Sequence, residues 1–173
     1  MKKKYICAGI FAVAALLLIS AVNRMVLFYL PTKFSIVMYA VTCGATAAAT
    51  VLNNRKLDCV VSALAVITAL AVLGGAYYGL GAMILLLTLA NVLMFLIFAA
   101  SVYSRKTKLS YIAGDIALLS FAAKIILTLM GFVISYSVND LIVTVLVAVA
   151  LILRGKLYAD EENENTRGED VKG

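Results

Sequence analysis

The sequence YIAGDIALLSFAAKIILTLMGFVIS, residues 111–135, is long and apolar enough to cross a lipid bilayer. It nevertheless contains Lys124 near its centre and Asp115 near its start. A lysine at the centre of a membrane helix costs about 2.5–3.5 kcal/mol on insertion scales, whereas each Leu, Ile, Phe or Val contributes about −0.3 to −0.6 kcal/mol. The segment is therefore expected to insert as a helix, with Lys124 turned toward a protein partner or a wet cavity.

The composition of the whole chain leads to the same class of protein. Of its 173 residues, 64% are hydrophobic, and the mean hydropathy is +1.05. Soluble domains are close to half apolar, and a soluble fold of this length could not bury so much apolar surface. Because the apolar segments are continuous rather than alternating, they predict helices and not barrel strands. We therefore predict an all-α, polytopic membrane protein surrounded by the lipid bilayer.

Windows of about 20 apolar residues predict a bundle of six transmembrane helices. The division between the third and the fourth depends on GGAYYGLG, residues 74–81, because glycines break helices and permit turns. The acidic residues 158–173 are predicted to form a disordered cytoplasmic tail. The predicted spans are residues 5–22, 35–52, 58–78, 80–103, 111–136 and 141–156, within a transmembrane domain of residues 1–157.

The distribution of basic residues predicts how these helices are oriented. With the N-terminus inside, the outer segments contain only Arg24 and Lys33. This positive-inside pattern predicts a multi-pass protein of the cell (plasma) membrane with both termini in the cytoplasm. Arg24 and Asp115 are interpreted as interfacial charges, Asp115 beside the basic residues 105–108. The basic residues of the inner segments are Lys2, Lys3, Lys4, Arg55, Lys56, Arg105, Lys106, Lys108, Arg154 and Lys156.

Polar residues on neighbouring spans predict a chamber around Lys124. Two hydroxyl residues lie four positions before and after it, on the same helix face. A cation in such a chamber attracts an anionic ligand or relays protons. The structural alternative is a lysine that is hydrogen-bonded within the bundle, with an asparagine joining two helices. The candidate ligand-binding residues are Lys124, Asn91, Ser120, Thr128, Thr42 and Thr46, the last two in a stripe that continues to Thr50.

Several functions are disfavoured by what the sequence lacks. It has no histidine, and Cys7, Cys43 and Cys59 form no CxxC pair, so neither a zinc site nor a histidine-activated nucleophile is predicted. It also has no glycine-rich phosphate loop. The net charge of +6 follows from the inner segments and needs no nucleic-acid partner to explain it. We therefore predict no enzyme activity, no metal and no cofactor.

One family resemblance rests on residues 53–110. They contain NNRKLD, an apolar helix and then YYGLGAMILLLTLANVLMFLIFAASVYSRKTKLS. This order of a basic loop, a helix, a glycine turn, a long helix and another basic loop resembles the C-terminal half of polysaccharide and oligosaccharide flippases, which are MATE-like. The resemblance implies a half-transporter for a lipid-linked or small anionic solute, acting as a homo-oligomer.

A second resemblance rests on AGIFA, residues 8–12. Its small residues Ala8 and Ala12 are similar to the first-helix face by which S-components of energy-coupling-factor vitamin importers contact a membrane partner. That resemblance implies a substrate-binding subunit of a larger transporter. A third hypothesis is a membrane scaffold or accessory subunit that transports nothing. The residues favour a transport-related role but do not specify the solute, its direction or its energy source.

Overall fold

The computed structural model describes residues 2–24, 30–76, 82–130 and 138–170, and every regular element within these ranges is an α-helix. Six helices are long and apolar enough to cross a membrane. The prediction of an all-α bundle of six such helices is confirmed. The helices are α1 (Lys2–Arg24), α2 (Leu30–Leu52), α3 (Arg55–Ala76), α4 (Ala82–Ser104), α5 (Thr107–Leu129) and α6 (Val138–Asp170).

Helix α5 ends earlier than the predicted fifth span. This helix ends at Leu129, and the backbone N–H of Met130 closes it by donating to the Ile126 carbonyl at 2.9 Å. Hydropathy extended the fifth span to residue 136 because residues 132–134 are also apolar in sequence. Lys124 consequently lies about 7.5 Å from the last residue of α5, at 1.5 Å per residue, and not at the middle of its helix.

Helix α6 also differs from its prediction, because it begins at Val138 and continues to Asp170. Residues 158–170, which the acidic composition predicted to be disordered, are therefore helical. Leu157 and Tyr158 are buried where this extension begins, and glutamate, which is frequent in it, is a good helix former. The parts of the predicted spans and tail at residues 77–81, 131–136 and 171–173 lie outside the described residues.

Two tight turns connect α2 to α3 and α4 to α5. The residue after each first helix, Asn53 or Arg105, has a positive φ of 46° or 52°, which is the usual way to end a helix. Asn54 then caps α3, since its side-chain oxygen accepts the Lys56 N–H at 2.9 Å. Such short turns make consecutive helices antiparallel. Hydrogen bonds of Asp58 with Arg105 and Arg154, and of Lys3 with Asp160, bring four segments together at one end of the bundle, which we call the basic end: residues 2–4, 53–58, 105–108 and 154–160.

The six helices form a closed ring, in which each helix packs against the next and α6 packs against α1. Small residues bring α5 and α6 close together. A Cβ added to Gly114 would lie 2.7 Å from the Ile152 side chain, and one added to Gly155 would lie 3.1 Å from the Tyr111 ring. Large apolar side chains such as Leu119 cover the outer surface, as expected for helices that face lipid. The ring's interior is therefore where polar groups must find partners.

Candidate functional site

Lys124 is buried inside the ring, and its ammonium group is paired with α6. Lys124 Nζ donates to Asp140 Oδ2 at 3.0 Å and to Thr144 Oγ1 at 3.0 Å. The hydroxyl of Thr144 itself donates to the Asp140 backbone carbonyl at 2.8 Å. The lysine side chain is 7% exposed and the aspartate side chain 42%. Lys124 thus faces protein rather than lipid, and a carboxylate balances its charge.

A cavity of about 150 Å³ adjoins this ion pair. Five of the six helices contribute to its walls, so it belongs to the ring's interior and not to a single hairpin. Its lining combines the two charges with an amide, hydroxyl groups and apolar side chains. We call this space the chamber. Its described lining residues are Ser35, Ile36, Tyr39, Val72, Asn91, Met94, Phe95, Lys124, Asp140 and Thr144.

Two of the predicted ligand-binding residues, Lys124 and Asn91, line the chamber. Ser120 is buried and supports Asn91, because its hydroxyl donates to Asn91 Oδ1 at 3.3 Å. Thr128 donates to the Lys124 backbone carbonyl at 2.8 Å, the usual bond of a threonine within a helix. Neither Ser120 nor Thr128 is among the described residues of the chamber wall, so both act behind it.

The structure does not bring the threonine stripe of α2 to Lys124. Thr42 and Thr46 donate to the carbonyls of Met38 and Thr42 at 2.9 and 2.6 Å. The Thr42 hydroxyl also lies 2.8 Å from that of Thr68, which joins α2 to α3. Both threonines face the middle of the ring, beside Cys43. Both hydroxyl groups are hydrogen-bonded to the backbone of α2, and that of Thr42 is also hydrogen-bonded to Thr68 of α3.

Asp140 and Thr144 complete the chamber, and the sequence pattern did not predict them. The fifth span was extended to residue 136, which left Asp140 in a loop beyond the membrane helices. With α5 ending at Leu129 and α6 beginning at Val138, the two antiparallel helices bring Lys124 and Asp140 level. A signal existed in the sequence, since Asp140 and Thr144 are one helical turn apart at the start of an apolar segment.

A second buried charge cluster lies at the basic end, and the sequence pattern did not predict it either. Asp58 accepts hydrogen bonds from Arg105 Nε and Nη2 at 2.9 and 2.6 Å, and from Arg154 Nη2 at 3.0 Å. Arg154 also donates to the hydroxyls of Thr50 at 3.0 Å and Tyr158 at 2.8 Å. We call these five residues the Asp58 cluster. It joins α2, α3, α6 and the turn between α4 and α5.

The two predicted interfacial charges have different outcomes. Asp115 is exposed on the outer face of α5, about 12 Å from the start of the helix. No ion pair joins it to another residue in the described ranges, and Arg105, one of its expected partners, binds Asp58 instead. The side chain of Arg24 lies outside the described part of the chain.

The S-component resemblance rests on two small residues of the first helix, Ala8 and Ala12. They do not form one exposed face. Ala8 is buried inside the ring, whereas Ala12 is exposed. Within the described ranges, no group of three or more His, Cys, Asp or Glu side chains could hold a metal ion.

Comparisons with known protein families, with curated proteins and with solved structures find no match to this chain. The fold and the chamber define its class: it is an integral, multi-pass membrane protein built from six apolar helices.

Proposed function

We propose that this protein is a membrane transport protein, or the solute-binding subunit of one, and that the chamber holds a small polar solute against Lys124. The observation that carries this proposal is a buried cation and an amide lining a cavity of about 150 Å³ inside an apolar ring. Ionisable groups within membrane helices are costly and commonly mark the path of a solute or ion. By the positive-inside pattern, we place the basic end in the cytoplasm and the protein in the cell membrane.

The cavity itself favours a binding role over a purely structural one. The cavity has an opening, and the charged pair in its wall includes an aspartate side chain that is 42% exposed. An ion pair is not needed there for stability, because apolar residues of similar volume commonly serve stability as well or better. A scaffold would gain from filling this space with apolar side chains. A polar cavity that is kept open is better explained by what enters it.

The size of the chamber also bears on the solute. A cavity of about 150 Å³ is large enough for a molecule such as benzene and much too small for an oligosaccharide. A small solute is therefore favoured over a lipid-linked one. The flippase resemblance and the S-component resemblance remain hypotheses about assembly. The first expects a pair of identical chains, and the second expects a large membrane partner with nucleotide-binding subunits.

The substitution Lys124→Met tests the proposal, with Lys108→Met as its matched control. Lys108 is an exposed lysine of the same helix, outside the chamber. Purified protein is screened against a library of small polar metabolites by the shift in its thermal unfolding temperature, since a ligand that binds only the folded state stabilises it. We expect at least one metabolite to stabilise the unaltered protein and the Lys108→Met variant, but not the Lys124→Met variant. The flux of that metabolite into proteoliposomes should likewise be retained by the Lys108→Met variant and lost in the Lys124→Met variant.

Two results would count against this proposal. One is a metabolite that stabilises Lys124→Met as strongly as the unaltered protein, because the chamber would then not be its site. The other is a complete library without a stabilising compound, which would favour the scaffold or accessory role. Purification under mild conditions separates the assembly hypotheses, since a homodimer and a complex with nucleotide-binding subunits differ in mass and composition.

A further inference from the structure

We infer that the outer face of α5 binds a second membrane protein, through a transmembrane helix that carries a lysine or an arginine level with Asp115. This inference does not depend on the chamber, so it goes beyond the proposed function. It starts from a carboxylate in an unusual position. Asp115 is exposed on the outer face of α5, where the helices of the ring face lipid.

Asp115 lies within the apolar outer surface and not at its edge. Ile112, one turn nearer the basic end, and Leu119, one turn farther from it, are both exposed. The residue before Asp115, Gly114, lies against the Ala148 carbonyl, inside the apolar part of α6. Asp115 itself is about 12 Å from the start of α5, at 1.5 Å per residue. Its side chain is much shorter than that distance, so the carboxylate cannot extend to the headgroups as a long lysine side chain can.

Asp115 also lacks a cationic partner within this chain. No hydrogen bond or ion pair joins it to any residue in the described ranges. Ionisable groups within membrane helices almost always pair with one another, bind backbone carbonyls or face a cavity. A lipid-facing carboxylate therefore indicates a cation outside the chain. The other aspartates whose side chains are described all have such a partner: Asp58 has Arg105 and Arg154, Asp140 has Lys124, and Asp160 has Lys3.

A second copy of this chain does not supply the complementary charge. Copies in one membrane share the same orientation, so a symmetric contact through α5 would bring two Asp115 carboxylates to the same depth. Like charges repel, and the repulsion is strongest away from water. The cation therefore belongs to a different protein. Within the described residues, the exposed lysines and arginines all lie at the basic end: Lys2, Lys3, Arg55, Lys56, Lys106, Lys108 and Lys156.

The face around Asp115 has the spacing by which one helix packs along another. Its exposed residues recur at intervals of three and four positions, which places them in a single stripe on α5. A partner helix along this stripe would pack apolar side chains on both sides of the pair of Asp115 and its cation, and so would keep the pair away from lipid. The stripe consists of Ile112, Asp115, Leu119, Ala122 and Ile126.

Photocrosslinking in the membranes of the source organism tests the inference. The photoreactive amino acid p-benzoylphenylalanine replaces Leu119, and the control places it at Leu16 of α1, a helix that is not adjacent to α5 in the ring. These two side chains are exposed to nearly the same extent, 69% and 66%. We expect the probe at Leu119, but not the probe at Leu16, to crosslink to one membrane protein. The crosslinked peptide, identified by mass spectrometry, should belong to a transmembrane segment that contains a lysine or an arginine.

Substitutions of Asp115 then test whether its charge holds the partner. In the protein with the probe at Leu119, Asp115→Asn should lower the yield of the crosslink about tenfold, the usual loss for a charged hydrogen bond, whereas Asp115→Glu should retain it. Because Asp115 is exposed, Asp115→Asn has little effect on folding, so the loss does not come from an unfolded chain. Exchanging the charges, with Asp115→Lys and an aspartate in place of the partner's cation, should restore the crosslink.

Four results would overturn the inference. They are a crosslink only between copies of this chain, a crosslink only to lipid, a crosslinked segment without lysine or arginine, and an equal yield with Asp115→Asn. None of them bears on solute binding, because Asp115 lies on the outer face of α5. This inference and the proposed function can therefore fail separately.

Discussion

A single carboxylate, that of Asp58, connects two arginines at the basic end. Its side chain is 5% exposed and that of Arg154 is 3% exposed, so neither charge has water to replace a lost partner. Arg105 adopts a positive φ of 52°, a conformation that is uncommon for residues with a side chain. Arg105 donates two hydrogen bonds to Asp58, and these bonds favour this conformation of the turn. Asp58 therefore stabilises both a buried charge and the turn between α4 and α5.

We predict that Asp58→Asn destabilises the protein by about 3–5 kcal/mol, because removing one partner of a buried pair leaves an uncompensated charge. The matched substitution Asp115→Asn should change the free energy of unfolding by less than about 0.5 kcal/mol, since Asp115 is exposed on the bundle surface. Unfolding of the purified protein in mixed micelles measures both. Equal effects of the two substitutions would show that the Asp58 cluster is not a stabilising contact.

Among the elements, the α5–α6 pair positions the chamber's two charges. Lys124 comes from the last two turns of α5 and Asp140 from the first turn of α6. Further toward the basic end the same two helices approach closely, because Gly114 lies against Ile152 and the Ala148 carbonyl. The distance between Lys124 and Asp140 depends on this contact, because α5 carries the first and α6 carries the second.

The close approach of α5 and α6 predicts a cost for Gly114→Ala. A Cβ there would lie 2.7 Å from Ile152 Cγ1 and 3.3 Å from the Ala148 carbonyl oxygen, so the Ile152 side chain or the helices themselves must shift. We expect a loss of about 1–3 kcal/mol in unfolding free energy, as is typical of overpacking, together with weaker solute binding. Gly9→Ala is the control, because a Cβ at Gly9 meets nothing within 4 Å. It should be neutral or slightly stabilising, since alanine is the better helix former. A Gly114→Ala variant as stable as Gly9→Ala would refute the close approach.

The sequence predicted the elements better than it predicted their ends and their distant contacts. Hydropathy and the positions of basic residues were enough for six helices, because both are properties of continuous segments. The end of α5 was misplaced, since turns are determined by backbone hydrogen bonds and apolar residues follow Leu129 in sequence. This error concealed Asp140. The pair of Asp58 and Arg154 is separated by 96 positions, and no local pattern relates them. Lys124 and Asn91 could be predicted because polar residues in apolar segments are conspicuous.

At the scale of the whole molecule, the closed ring has three levels along its interior. The chamber lies between the halves of the helices that are farther from the basic end, and the Asp58 cluster lies at the basic end. Between them is a mainly apolar layer that includes Phe11 and Phe98, whose ring centroids are 6.4 Å apart. Tyr39 and Phe95 pack edge to face at 4.8 Å and line both the chamber and this layer. The described conformation therefore separates the chamber from the basic end.

This separation predicts the reactivity of the three cysteines. Cys59 is exposed, whereas Cys7 and Cys43 are 0% and 2% exposed, and Cys43 lies in the apolar layer. N-ethylmaleimide should therefore add once per chain to the native protein, at Cys59, and three times after denaturation in SDS. Intact-mass spectrometry counts the adducts, and peptide mapping locates them. Rapid modification of Cys43 in the native protein would show that the interior is open to reagents of this size.

The central claim is that the chamber beside Lys124 and Asp140 binds a solute. Equilibrium dialysis of a radiolabelled solute, chosen as the strongest stabiliser from the metabolite library, tests it most directly on the Lys124→Met and Lys108→Met proteins side by side. The account predicts saturable binding of about one solute per chain by Lys108→Met and none above background by a folded Lys124→Met protein. Equal saturable binding by the two variants would contradict it.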